Sequence, residues 1–173
     1  FVKELKRIAE LNSIKIYHDK KNIIDKIWDR KVKKNQKFCF FLEKKISGED
    51  TLSKKERIFN KINYDFLILT SSESICWLMN LRGFDLEHTP IVFSRAILTK
   101  TSIKLFIDLN NFRSRKKVKG VQIYSLGEFE SELLKLPKNK KLALNSLSSF
   151  FYYELMKSSR LRFDLIEDPC INI

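Results

Sequence analysis

Residues Asp65–Phe93 read DFLILTSSESICWLMNLRGFDLEHTPIVF. Phe66–Leu69 is an apolar run of strand length without polar alternation, the composition of a strand buried on both faces of a sheet. Ser71, Ser72 and Ser74, grouped around Glu73, supply hydroxyls able to cap a helix, and Ile75, Trp77, Leu78 and Leu81 then load one side of a short helix. Gly83 stands just past that helix, where helices commonly end in a residue of positive φ. Pro90 marks the entry to a second β-rich run, Ile91–Leu98. Strand, capped helix, glycine stop and strand predict a βαβ-like unit. Its middle is unusually polar for such a unit, because Asn80, Arg82 and Asp85 interrupt the apolar residues.

The flanking chain repeats the alternation. Phe38–Leu42, Ile103–Ile107, Val121–Tyr124, Leu142–Leu144 and Leu161–Ile166 read as strands, and Thr99–Ser102 as the turn of a hairpin between 91–98 and 103–107. Thr51 or Ser53 caps a helix containing Leu52, Ile58, Phe59 and Ile62. Leu126–Leu136 forms another, with Leu126, Phe129, Leu133 and Leu134 inward and Pro137 as its stop. A third, capped by Asn145 or Ser146, carries Leu147, Phe150, Phe151 and Leu155. Near the N-terminus, residues 1–11 form an amphipathic helix with Val2, Leu5, Ile8 and Ala9 on one face, and Ile14–Tyr17 a short strand. Residues 22–28 make a helical turn, and the charged link Asp29–Lys37 follows. Asp168-Pro169 reads as a stop. Strands alternating with helices predict an α/β fold with helices on both faces of the sheet. The hairpin makes that sheet mixed, of about six strands.

Composition narrows the class. A chain of 173 residues suits one well-buried domain. It begins at Phe1 rather than Met, shows no signal-peptide succession, and is expected to be a piece of something longer. Its apolar runs are far shorter than the roughly 20 residues that span a bilayer. Cys39, Cys76 and Cys170 are widely spaced and odd in number, which suits buried free thiols in a reducing cytoplasm. The net charge of +13 raises the question of nucleic acid. The lysines, however, are scattered through turns and are not interleaved with aromatic residues on one face, so a solvated lysine-rich surface is the better account.

No catalytic constellation emerges. His18 and His88 each lack a His or Cys at metal-ligand spacing. His88 has Asp85 and Glu87 beside it, an arrangement equally served by an ordinary loop histidine. Four glycines do not build a phosphate cradle, and Ser71–Ser74 has no local base. Asp65, Asp85 and Asp108 lie near strand ends without identifiable partners.

The segment Trp77-Leu78-Met79-Asn80-Leu81-Arg82-Gly83-Phe84-Asp85, followed by Pro90, resembles the W-L-L-N-L-R-G-x-D-(I/L)-x-x-x-P pattern of Xaa-Pro aminopeptidases, in the creatinase/prolidase family. Residues 22–28 with Asp29-Arg30 resemble the family's N-L-(I/V)-D-x-(I/V)-W followed by D-R. Gly48-Glu49 with Lys54 and Arg57 resembles a G-E…K…R helix, and Phe106-Ile107-Asp108 an F-I-D after the hairpin. Met79 stands for a usual Leu and Phe84 for a usual small residue. The resemblance runs from about Asn22 to Pro169. It implies the second, middle domain of the three-domain form over residues 20–173, with residues 1–19 trailing from a preceding domain or linker.

By that resemblance the chemistry belongs to a C-terminal pita-bread domain with two metal ions, usually manganese, which would begin after Pro169. The parent would remove the N-terminal residue from peptides whose second residue is proline, in the cytoplasm, and could dimerise through its other parts. This chain would hold no catalytic, cofactor or metal residue. Trp77, Asn80, Arg82, Gly83 and Asp85 would be structural signature residues, with Arg82 and Asn80 fixing loop 83–90. Alternatively Arg82, Asp85 and His88 would face the catalytic domain. Two other function classes stay open at this stage: a non-enzymatic protein-binding relative of the same superfamily, and a basic nucleic-acid-binding module.

Overall fold

A computed structural model describes residues 2–17, 23–28, 38–113 and 118–171. The chain divides into two compact units, 1–35 and 36–173. The first holds helix α1 (Val2–Leu11) and the short helix α2 (Ile23–Ile27). Ala9 is buried, but Leu5 and Ile8 on the same face remain exposed. The strand expected at Ile14–Tyr17 is not formed among the described residues, where alternation of side chains does not by itself supply a strand partner. His18, Asn22 and the charged link from Asp29 lie outside the described residues.

The second unit is built on a six-stranded mixed sheet. Its strands are β2 (Phe66–Leu69), β4 (Arg95–Leu98), β5 (Ile103–Ile107), β6 (Val121–Ser125), β7 (Leu142–Asn145) and β8 (Phe163–Ile166). The order is β6-β5-β4-β2-β7-β8. β4 runs antiparallel to both its neighbours, and the remaining pairings are parallel. The expected hairpin is present, its turn closed by Thr99 N–H donating to Ser102 O at 2.8 Å. A separate two-stranded ribbon pairs β1 (Cys39–Phe41) with β3 (Leu81–Gly83), antiparallel, and the short helix α3 (Lys44–Ser47) follows β1.

Helices cover both faces. On one lie α4 (Thr51–Lys61) and α5 (Ser72–Met79), whose Ile58, Phe59, Ile75 and Leu78 pack with Leu67 and Leu69. On the other lie α6 (Phe129–Leu134) and α7 (Phe150–Ser158), whose Phe129, Leu133 and Met156 pack with Ile68. The apolar run of β2 thus serves both layers by simple alternation, which is why it carries no polar residue. Full burial of each such side chain contributes roughly 1.5–3 kcal/mol.

The central unit departs from the βαβ expectation. α5 ends at Met79, and Asn80 takes the left-handed conformation (φ 52°) foreseen for Gly83. Leu81–Gly83 then leaves the helix to pair with β1, so the chain returns to the main sheet as an antiparallel β4. Gly83 is required for close approach, not for φ: a Cβ there would stand 2.5 Å from Val92 Cγ2 and 3.0 Å from Cys39 Cβ. The second β run is also shorter than expected, because residues 91–94 wrap over Gly83 before β4 begins.

Other boundaries shift for local reasons. α4 is capped by Asp50, one residue ahead of the expected hydroxyls, whose carboxylate accepts from Ser53 N–H at 2.9 Å. α6 is preceded by a Ser125/Glu128 capping box, and Leu134 points outward, 43% exposed. α7 begins only at Phe150, leaving Leu147 exposed, because Asn145 is engaged elsewhere.

Candidate functional site

A densely bonded polar site lies at the corner where α5 ends and β3 begins. Asn80 is 5% exposed, and every polar group it has is used. Its backbone N–H donates to Trp77 O, and its carbonyl accepts from Leu42 N–H at 2.8 Å. Its Oδ1 accepts from Lys54 Nζ at 2.6 Å, and its Nδ2 donates to Glu49 O at 2.8 Å. Asparagine fits because it tolerates the left-handed conformation and carries both a donor and an acceptor.

Lys54 reaches this corner from α4, 4% exposed. Its ammonium also donates to Trp77 O at 2.8 Å and lies 4.6 Å from the centre of the Trp77 ring. Burial lowers its pKa, with Arg82 and Arg57 adding to that effect and Glu49 opposing it. Arg57 packs on the same indole at 5.8 Å and pairs with Glu49 at 2.9 Å. Arg82, half-buried, donates through Nη1 to the carbonyls of Cys76 (3.1 Å) and Leu81 (2.8 Å). Two cationic side chains therefore cover the carbonyl end of α5, where the helix dipole is negative. The structure thus brings together Glu49, Lys54 and Arg57 with Trp77, Asn80 and Arg82, two sequence motifs that reading along the chain leaves separate.

Loop 84–90 is closed by other groups. Gly83 N–H donates to Pro90 O, Asp85 N–H to Ile91 O, and Phe93 N–H to Asp85 Oδ2 at 2.7 Å. Arg82 acts on the helix end, and Asp85 on the loop. His88 sits at the loop tip with φ 62°, its side chain 90% exposed and 3.8 Å from an equally exposed Glu87. That carboxylate–histidine pair is fully solvated and has no buried orienting group of the kind a catalytic pair needs. Phe84, Leu86 and Phe93 around it are 51%, 42% and 46% exposed.

At the opposite end of α5 lies a second cluster, which sequence reading missed. Asp168, read as a stop, is 3% exposed and accepts from Ser74 Oγ and Asn145 Nδ2, both at 2.6 Å. Only its place after an apolar strand hinted at burial. Elsewhere, Cys39, Cys76 and Cys170 are free thiols, and burial pushes Cys39 up to about 12 and raises Cys76 and Cys170 as well. Among the described residues, no group of three or more His, Cys, Asp or Glu is placed to hold a metal ion.

Comparison with known proteins gives this corner a context. The family described as "Creatinase/Prolidase N-terminal domain" matches residues 29–172. Xaa-Pro aminopeptidase 1 of Dictyostelium discoideum is 27% identical over 163 residues, covering 86% of this chain and 26% of that protein. Xaa-Pro aminopeptidase ApepP of Drosophila melanogaster is likewise 27% identical over 163 residues, covering 87% and 26%. The chain thus spans about a quarter or less of the curated relatives it matches. In fold it is similar to the X-prolyl aminopeptidase of Caenorhabditis elegans, described as a cytosolic enzyme with a di-nuclear active site. The TM-score is 0.78 at 19% identity, over 96% of this chain and 29% of that one. With a family match over most of its length, this chain belongs to the creatinase/prolidase N-terminal domain family.

Proposed function

We propose that this chain is a non-catalytic domain of a metal-dependent Xaa-Pro aminopeptidase, an enzyme removing the N-terminal residue from peptides with proline second. Its role is to scaffold the polypeptide and to contact the pita-bread catalytic domain that follows in the same protein. The observation that carries this reading is coverage: the family match takes in residues 29–172, and the chain covers about a quarter of each Xaa-Pro aminopeptidase it resembles. The described residues offer no donor set for the two manganese ions that the resemblance implies. In this reading no step of hydrolysis is assigned to this chain, and the metal ligands are those that the resemblance implies for the pita-bread domain. A cytoplasmic location accords with the described helices, none of which is long and apolar enough to cross a membrane. It accords also with the cytosolic relative from C. elegans.

Arg82 and Asp85 serve the scaffold in this reading, since both are committed to backbone groups of their own domain. His88, with Phe84, Leu86 and Phe93 exposed around it, is the part of the loop left to meet the catalytic domain or a second copy of the parent. The test compares this chain with a version extended through its natural continuation, on an Xaa-Pro peptide with added manganese. Turnover is expected only from the extended protein. Turnover by the chain alone would overturn the reading, and an inactive extended protein lacking metal ligands would assign it to the non-enzymatic relatives.

A further inference from the structure

The sheet changes direction between β2 and β7. After β2 the chain passes through α5 toward β4 on one side, and after β7 through α7 to β8 on the other. α5 and α7 also lie on opposite faces. In open α/β sheets this is where ligands bind, in the crevice outside the carboxyl ends of the diverging strands. At that position stand Ser74, in the first turns of α5, and Asn145, which ends β7; they are 5% and 0% exposed.

The group between these two residues is the carboxylate of Asp168. Its Oδ2 takes both side-chain donors, and its Oδ1 accepts from Cys170 N–H at 2.9 Å. Among the described residues no cationic side chain lies within ion-pair distance of it. The Asn145 amide is oriented for the task, since its Oδ1 accepts from Leu147 N–H at 2.7 Å and leaves Nδ2 facing Asp168. Ser146 N–H donates to Ile166 O, and Ile171 N–H to Asp168 O, so the turn bearing the carboxylate is itself closed. A buried carboxylate satisfied by neutral donors from distant elements has the coordination of a bound anion, not of a structural ion pair.

We propose that Asp168 is a built-in ligand: the chain's own carboxylate fills the switch-point crevice and clamps residues 167–171 across the ends of α5 and β7. The native crevice is closed to outside anions, and removing the Asp168 side chain opens it to a small carboxylate.

Thermal unfolding of Asp168→Ala with added sodium formate tests this, against sodium chloride at equal ionic strength. The variant is expected to melt about 5 °C or more below the native protein, from the loss of charge-assisted hydrogen bonds. Formate should raise its Tm saturably beyond the chloride effect, while the native protein and Asp168→Asn respond to both salts alike. Adding Ser74→Ala should abolish the formate effect. An unchanged Tm, or formate acting no more than chloride, overturns the proposal. Should Asp168→Ala fail to fold, Ser74→Ala alone decides the matter through cleavage at Glu167 by a glutamyl endopeptidase. Losing one such bond should speed that cut about tenfold, and an unchanged rate overturns the clamp.

Discussion

The two ends of α5 are bonded in opposite senses. At its carbonyl end stand two cations, Lys54 on Trp77 O and Arg82 on Cys76 O; near its amino end stands one anion, Asp168 on Ser74. Each arrangement suits the sign of the helix dipole at that end. They differ in how the charge is held. Lys54 comes from a neighbouring helix and rests on an indole and a left-handed asparagine, so its position depends on backbone conformation as well as on hydrogen bonds. Asp168 is held by two side chains and one backbone N–H, and no backbone strain enters. The carbonyl end should therefore be the more costly to disturb, and the more sensitive to which small residue replaces Asn80.

That difference can be broken at Asn80. Asn80→Ala removes the acceptor for Lys54 and the donor to Glu49 O while forcing alanine into the left-handed region, an expected loss of about 3 kcal/mol. Asn80→Gly loses the same bonds but accepts the backbone, and should recover about 1 kcal/mol of that. Urea unfolding of both decides it: equal midpoints would mean that backbone conformation contributes nothing at this end. Three residues on, Gly83→Ala should cost about 2 kcal/mol through overpacking against Val92 and Cys39. A midpoint unchanged from native would mean that the ribbon β1–β3 yields freely, and that the corner is less rigid than its bonds suggest.

How far the sequence revealed these ends follows from how local each one is. β2 was legible because four apolar residues in a row carry their own signal, and the β4–β5 hairpin because its turn is short. The carbonyl end was half legible. Asn80 and Arg82 stood out as polar residues at a helix end, and Lys54 and Arg57 as part of a separate motif. Their meeting needs the packing of α4 on α5, which no local pattern encodes. The role of Gly83 was misplaced because glycine signals positive φ and close approach with the same letter. The amino end was barely legible. Ser74 offers a hydroxyl like its neighbours, and Asp168 is separated from it by 94 residues. Asn145 looked like a cap because asparagine usually is one.

The smallest expected effect comes from acid acting on two carboxyls at the rims of helices on the two faces of the sheet. Asp50 caps α4, the helix that delivers Lys54. Its bond from Ser53 N–H, aided by Lys44 and the Ser53 hydroxyl, holds its carboxyl at about 2 against an ordinary 3.8. Glu132 is held at about 2 against 4.5 by Lys104 and Lys135. Both carboxyls are depressed in the folded state, so their contribution is complete above about pH 4.5 and is lost as pH falls toward 2. Both pairings reach solvent, so added salt should weaken the effect. In low salt, Tm should stay level from pH 7 to about 5 and then decline between about 4.5 and 2. Asp50→Asn keeps a capping oxygen but loses the titration, and should flatten part of that decline. A decline that Asp50→Asn and Glu132→Gln together leave unaltered would move the acid-sensitive groups off the rim.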